Sequence, residues 1–306
     1  MEALGRIAIV IPTIGRFEDL RRMLKSLASQ THLPEHVQIV GEGEGNAQVA
    51  AEFPQLRAQF LPLPGSSISQ ARNAGTRAAS PDIQLIAFMD DDIVLEPDAV
   101  EAMLRFWQAA PPDVGGASCN HMNHPRVYAA RLKSARLISW LNLYSPQKGA
   151  VLKSGIHTMI GCPEETVYVS WLPTYAVVYR RAVLAEFAFD PWFKGYSYLE
   201  DLDFSYRVSR KYKLAVIADS RFYHYPSGIG RADPYEFGKK EVANRLHFVR
   251  KHTELSPALC TFSLLVRAML SFLGGITQGE AGPFRRAGGN LVGLASTLMR
   301  RRQAVA

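Results

Sequence analysis

Asp90, Asp91 and Asp92 stand in an unbroken row directly after the apolar run Leu85 to Met89. Adjacent carboxylates repel one another, and a divalent cation between some of them relieves the repulsion. The row therefore reads as a metal-holding element with Asp92 as its leading ligand. A solvated acidic turn is the plain alternative. Position argues against it, because in open α/β sheets ligands bind outside the carboxyl ends of the strands, where this row falls. A second acidic group, Glu200-Asp201-Leu202-Asp203, follows Asp190-Pro-Trp-Phe. Carboxylates at the start of a helix can simply serve its dipole, and Asp203 is assigned that role. His224 follows the apolar run Leu214 to Ala218, and there it is either a packed residue or a ligand.

The elements that must position these groups alternate in type. A strand Ile7 to Ile11 precedes a helix from about Glu18 to Gln30, a strand Val37 to Val40 and a helix near Ala47 to Phe53. Ser69 to Ala79 reads as a helix, Ile83 to Met89 as the buried strand that ends on the acidic row, and Asp98 to Ala109 as a further helix. This succession argues for βαβ units and an α/β fold. From Pro111 to Trp171 the chain is rich in Pro, Gly, His and Asn, and loops and short helices over one face are expected. A strand around Tyr175 to Tyr179, a helix from the second acidic group to about Lys211 and a strand Leu214 to Ala218 complete this part.

Taken together, these motifs resemble glycosyltransferase family 2. Asp90 and Asp92 match that family's D-x-D element, and Ile7-Ala-Ile-Val-Ile-Pro-Thr with Arg16 matches its opening strand. Ser69-Gln-Ala-Arg-Asn-Ala-Gly is similar to its segment before the metal motif, and Tyr198-Leu-Glu-Asp-Leu-Asp to its glutamate-aspartate motif. The resemblance covers most of residues 5 to 250. It implies a GT-A fold, a mixed central sheet flanked by helices, here with a helical C-terminal extension. It also implies inverting transfer from a nucleotide-diphosphate sugar with Mn²⁺ or Mg²⁺. Pro12, Thr13, Arg16, Arg72, Asn73, Asp90 and Asp91 would then bind the donor nucleotide, and Asp92, Asp90 and His224 the metal. Asp201 would be the general base, with Glu200 organising the acceptor or the base. The chain departs from the family after its second strand, where Val40 is followed by Gly41-Glu-Gly-Glu-Gly instead of an Asp-rich run. Glu42 is the nearest substitute, Glu44 competes with it, and UDP- and dTDP-sugars both remain open. Trp171, Trp192, Tyr196 and Tyr198 gather on the expected acceptor side, where aromatic faces can stack on sugar rings or belong to the core.

The 306 residues carry 47% hydrophobic content and a formal charge of +7. That composition suits a folded enzyme and excludes disorder. Cys119, Cys162 and Cys260 form no C-x-x-C pair, so neither a disulfide framework nor a zinc site is suggested and a cytoplasmic setting fits. The cations are dispersed through residues 1–252, which argues against nucleic acid. Residues 253–306 differ in character. On a helical wheel Leu259, Phe262, Leu265, Val266, Met269, Leu270 and Leu273 share one face, and Ser263, Arg267 and Ser271 the other. Arg267 argues against a membrane span. The basic pairs and triplets Arg285-Arg286 and Arg300-Arg301-Arg302 beside apolar segments suit an anionic membrane surface, so the protein is expected to lie peripherally on the cytoplasmic face. A glycan or lipid-linked acceptor for cell-surface polysaccharide or glycolipid would agree. Two other readings compete. Asp90-Asp-Asp-Ile-Val also fits the signature of haloacid dehalogenase-like phosphatases, with Asp90 as nucleophile, but that signature follows the first strand of its domain. A non-catalytic membrane-surface protein would leave the acidic motifs without purpose.

Overall fold

The computed structural model describes residues 5–124, 142–195, 197–228 and 233–305. Tyr196, one of the four acceptor-side aromatics, lies outside the described residues. The chain falls into two compact units, 1–126 with 160–230 and 127–159 with 231–306.

In the first unit β1 (Ile7–Ile14), β2 (His36–Glu42), β3 (Ala58–Pro62) and β4 (Leu85–Met89) alternate with α1 (Phe17–Ala28), α2 (Gly45–Ala51) and α3 (Ile68–Ala78). Then follow β5 (Ile93–Leu95), α4 (Ala99–Ala109), β6 (Val114–His121), β7 (Val167–Val169), β8 (Ala176–Arg180), α5 (Arg181–Glu186), α6 (Glu200–Ser209) and β9 (Lys213–His224). The strands form one mixed sheet in the order β3-β2-β1-β4-β8-β6-β9-β5, with β7 also on β9. The β3-β2-β1-β4 half is parallel, whereas β8 runs antiparallel to β4 and β6.

Strands buried on both faces read as continuous apolar runs, which is why Ile7–Ile11 was legible. Its odd residues Ile7, Ile9 and Ile11 join Leu20, Met23 and Leu24 of α1 in one core layer. Ala8 and Val10 join Ala71 and Ala74 of α3, with Phe189 and Phe204, in the other. Helix α3 begins with a capping box, in which the Ser67 hydroxyl accepts from the Gln70 N–H and the Ser67 N–H donates to Gln70 Oε1. Gly75 faces β1 so closely that an added Cβ would lie 2.3 Å from Val10 Cγ1. Gly41, at φ +143°, lets β2 pass Thr13, whose carbonyl oxygen would be 1.9 Å from a Cβ.

The largest difference from the sequence expectation is β6, an eight-residue strand buried along its whole length within the stretch expected to be loops and short helices. Its sequence, Val-Gly-Gly-Ala-Ser-Cys-Asn-His, carries no strand-like pattern. What makes it a strand is its place between β8 and β9, where bulky neighbours demand small residues. A Cβ on Gly116 would meet the Tyr179 ring at 2.5 Å. Strand β9 is also longer than expected and delivers His224 as its last residue.

The described helices of the second unit include α7 (Pro234–Arg250), α8 (Pro257–Gln278) and α9 (Ala281–Val305). The second stretch of this unit begins at residue 231, whereas the sequence reading set the boundary at 252, and α7 packs with α8 and α9. The Glu241 carboxylate of α7, wholly buried, receives Arg267 of α8 at 2.6 Å and Arg286 of α9 at 3.0 Å.

Candidate active site

The acidic row leaves β4 at the carboxyl end of the sheet. Asp90 begins it with its N–H donating to the Tyr175 carbonyl, 3.1 Å away. One ligand atom from each of Asp90, Asp92 and His224 lies within 4.8 Å of the others. His224 Nε2 is 3.0 Å from Asp92 Oδ1, and the other Asp92 oxygen accepts from Arg16 Nη1 and the Ser227 N–H, both at 3.1 Å. The donors, two carboxylates and an imidazole, fit a divalent transition ion. The surrounding charge fits too, since among the described residues the arginines paired with Asp90, Asp91, Asp92 and Glu200 are Arg16 and Arg72, two cations for four carboxylates.

Asp91 turns the other way, into the protein. Thr13 Oγ1 donates to its Oδ2 at 2.7 Å, and Arg16 donates to the same oxygen at 3.1 Å while its Nη2 reaches Oδ1 at 2.6 Å. Thr13 ends the buried part of β1 and Arg16 stands just before α1. The β1–α1 turn thus grips the acidic row through Asp91, the middle residue, and leaves Asp90 and Asp92 at the cluster with His224. Burial pushes the Asp91 carboxyl up to about 7 against the opposing pull of Arg16 and Thr13. Burial acts on Asp92 in the same direction, but the hydrogen bond and charge of His224, the Ser227 N–H and Arg16 outweigh it and hold Asp92 below the usual carboxylate range.

Arg72 of α3 joins the two acidic groups. Its side chain is buried, and it donates from Nη1 to Glu200 Oε1 at 2.6 Å and from Nη2 to Asp90 Oδ1 at 3.2 Å. The guanidinium also lies over the Phe189 ring, 5.4 Å from its centroid. Glu200 and Asp201 head α6, where Leu199 turns the chain with φ 76° and ψ 9°. A buried leucine in the left-handed region is strained, and such strain collects at functional sites. Asp201 Oδ1 accepts its neighbour Leu202 N–H at 2.7 Å. Burial, with the Glu200 charge beside it, raises the Asp201 carboxyl to about 7. Asp203 is buried and paired with Arg207 at 3.0 Å, one turn along α6.

The Asn73 side chain exchanges two hydrogen bonds with the Phe189 backbone, at 2.9 and 3.0 Å. That pair ties α3 to the segment before α6 and so holds Arg72 beside Glu200. Pro12 lies buried in β1 opposite Val40 of β2. The Glu42 carboxylate accepts from the Gly65 N–H. Trp171 is buried, Trp192 is 49% exposed and Tyr198 is half-buried.

Three further residues at the cluster carry no motif in the sequence. Asn123 exchanges hydrogen bonds of 2.8 Å with both the N–H and the carbonyl of His224. Ser227 reaches Asp92 through its backbone, which no side-chain pattern reveals. Tyr175 packs its ring 5.5 Å from that of His224, and burial, with the charges of Asp201 and Asp90, pushes its phenol up.

Residues 8–163 match the sequence model of glycosyl transferase family 2, and the chain belongs to that family. Its fold is GT-A, as the curled mixed sheet and its structural neighbours establish. Validoxylamine A glucosyltransferase of Streptomyces hygroscopicus subsp. limoneus is 29% identical over 127 residues, covering 39% of this chain and 28% of that protein. The uncharacterized glycosyltransferase YibD of Escherichia coli (strain K12) is 26% identical over 126 residues, covering 39% and 35%. The matched segment therefore spans about a third or less of these relatives. The mannosyltransferase PcManGT from Pyrobaculum calidifontis, in complex with GDP-Man and Mn²⁺, shares the fold at a TM-score of 0.58 and 14% identity, over 96% of this chain and 87% of that one. S. aureus TarS 1-349 in complex with UDP does so at 0.54 and 16% identity, over 89% and 75%.

Proposed function

We propose that the protein is a metal-dependent, inverting glycosyltransferase that moves a sugar from a UDP or dTDP donor to a hydroxyl of a glycan or lipid-linked acceptor. The observation that carries this reading is the Arg72 guanidinium held between Asp90 of the metal cluster and Glu200 of the base motif. It puts a cation-binding group and a carboxylate of raised basicity at one locus, as glycosyl transfer requires.

Asp90, Asp92 and His224 would hold the cation. Mn²⁺ suits the set better than Mg²⁺, because an imidazole nitrogen among carboxylates favours a transition ion over one that prefers oxygen alone. When bound, the cation would offset the negative charge that gathers on the diphosphate as it leaves. Pro12, Thr13, Arg16 and Glu42 would line the nucleoside along the β1 and β2 ends. Asp201, ionised, would accept the proton of the acceptor hydroxyl as its oxygen attacks the anomeric carbon opposite the departing diphosphate, which inverts that centre. General-base assistance of this kind contributes about 10²- to 10⁴-fold. Glu200, fixed by Arg72, would keep Asp201 in place. Exposed Trp192 and half-buried Tyr198 would offer stacking surface to the acceptor. A phosphatase reading would need Asp90 as a nucleophile after the first strand, whereas Asp90 follows β4 and faces Arg72.

The test is release of nucleoside diphosphate from UDP- and dTDP-sugars in the presence of Mn²⁺ and candidate acceptors. Release by the wild-type chain and none by Asp201→Asn or without metal supports the reading. Equal release by Asp201→Asn would overturn the base assignment.

A further inference from the structure

Helix α8 buries mostly small residues and exposes its large apolar ones. The face carrying Cys260, Ser263, Leu264, Ala268 and Gly275 is buried, and Arg267 reaches the buried Glu241 carboxylate at 2.6 Å. Small residues there allow close packing. A Cβ on Gly275 would meet the Phe284 ring of α9 at 2.8 Å. The opposite face presents Phe262, Leu265, Met269, Leu270, Leu273 and Ile276, each between 40% and 59% exposed. Isolated exposed apolar residues are ordinary, but a continuous stripe along a 22-residue helix is an interaction surface.

Charge indicates what covers it. The compact unit 127–159 with 231–306 contains 17 Lys and Arg against 5 Asp and Glu, whereas the unit 1–126 with 160–230 contains 18 against 23. The whole positive excess of the chain thus belongs to the unit that bears the apolar stripe. An apolar stripe on a cationic body is complementary to a bilayer with anionic headgroups, which takes up both. A second copy would instead bring the same positive charge against itself, a costly pairing.

We infer that the exposed face of α8 is a docking surface for an anionic lipid bilayer, on which the helix lies flat. Pro257–Gln278 is long and apolar enough to cross a membrane. The fold argues for lying on it, because Arg267 is anchored mid-helix on Glu241 and the opposite face is already packed. The inference is independent of the glycosyl-transfer reading.

The experiment is sedimentation of the full chain with phosphatidylcholine vesicles, with and without phosphatidylglycerol. Expected is partition onto the anionic vesicles that weakens with salt and falls about tenfold or more in the Leu265→Glu/Leu270→Glu variant. An unchanged circular dichroism spectrum and a melting transition like that of the wild type report that the variant is folded, whatever the chain does with nucleotides. An environment-sensitive dye on Leu273→Cys, in a Cys162→Ser background, should shift to the blue with anionic vesicles. Absence of partition, partition untouched by the double substitution, or an unshifted dye would overturn the inference. So would a wild-type dimer that the double substitution splits, since the face would then be a self-interface.

Discussion

Arg72 and Glu200, separated by 128 positions in sequence, meet at 2.6 Å inside the protein, with the arginine side chain only 1% exposed. Removing one partner of a buried pair leaves an uncompensated charge, which typically costs about 3–5 kcal/mol. Arg72→Ala should therefore destabilise the chain by about that amount, and Glu200→Gln by less, because the amide can still accept a hydrogen bond. Urea unfolding of both variants checks this. Equal and small losses would mean that the pair is not a structural tie.

The raised carboxyl of Asp201 gives a pH dependence with a definite sign. A base must be ionised to act, so kcat/KM should rise with pH with a midpoint near 7, where an ordinary aspartate would already be fully ionised. Stability should run the other way. A carboxyl whose folded pKa exceeds its unfolded value binds more protons in the folded state, so stability declines as pH rises from the ordinary carboxylate range through about 7. Asp201→Asn should abolish transfer and reduce that decline, leaving the share that Asp91, also raised to about 7, contributes. Melting curves at pH 5 and pH 8, for both chains, measure it.

The acidic row was legible because it breaks an apolar strand abruptly, and Thr13, Arg16 and Arg72 were legible as motif members. Their pairing was not. That Asp91 turns inward to Thr13 and Arg16 while Asp92 turns to His224 depends on side-chain directions that a row of three identical residues conceals. Asn73 shows the same limit, since its partners are backbone atoms of Phe189, 116 positions away. Strand β6 escaped because its small residues are demanded by Tyr179 and Leu214, neighbours that only the sheet supplies. On α8 the wheel separated two faces correctly. Which one is buried follows from small residues and Glu241, whereas hydrophobicity alone would have turned the helix around.

Gly75→Ala tests the packing of α3 on β1. The added methyl group would overlap Val10 Cγ1 at 2.3 Å, and overpacking of this kind costs about 1–3 kcal/mol. Combining it with Val10→Ala should recover part of the loss, so the two effects will not add. Additive losses in thermal unfolding would show that the contact is not the cause.

Asp92→Ala removes the residue that takes both His224 and Arg16. Titration calorimetry with Mn²⁺ should then show metal binding lost, with the fold retained because Asp91 still anchors the row to Thr13. Undiminished Mn²⁺ affinity would move the metal site elsewhere.

Asp90, Asp92 and His224 are proposed to bind a nucleoside diphosphate through a metal. Thermal stabilisation of the purified chain by UDP, dTDP, GDP and CDP, each with and without Mn²⁺, measures that binding. Ligand at a hundredfold excess over Kd adds about 2.7 kcal/mol of stability. Expected is a clear upward shift in Tm with UDP or dTDP when Mn²⁺ is present and not otherwise, and no shift in Asp92→Ala. Stabilisation that ignores the metal, or none by any of the four, would contradict it.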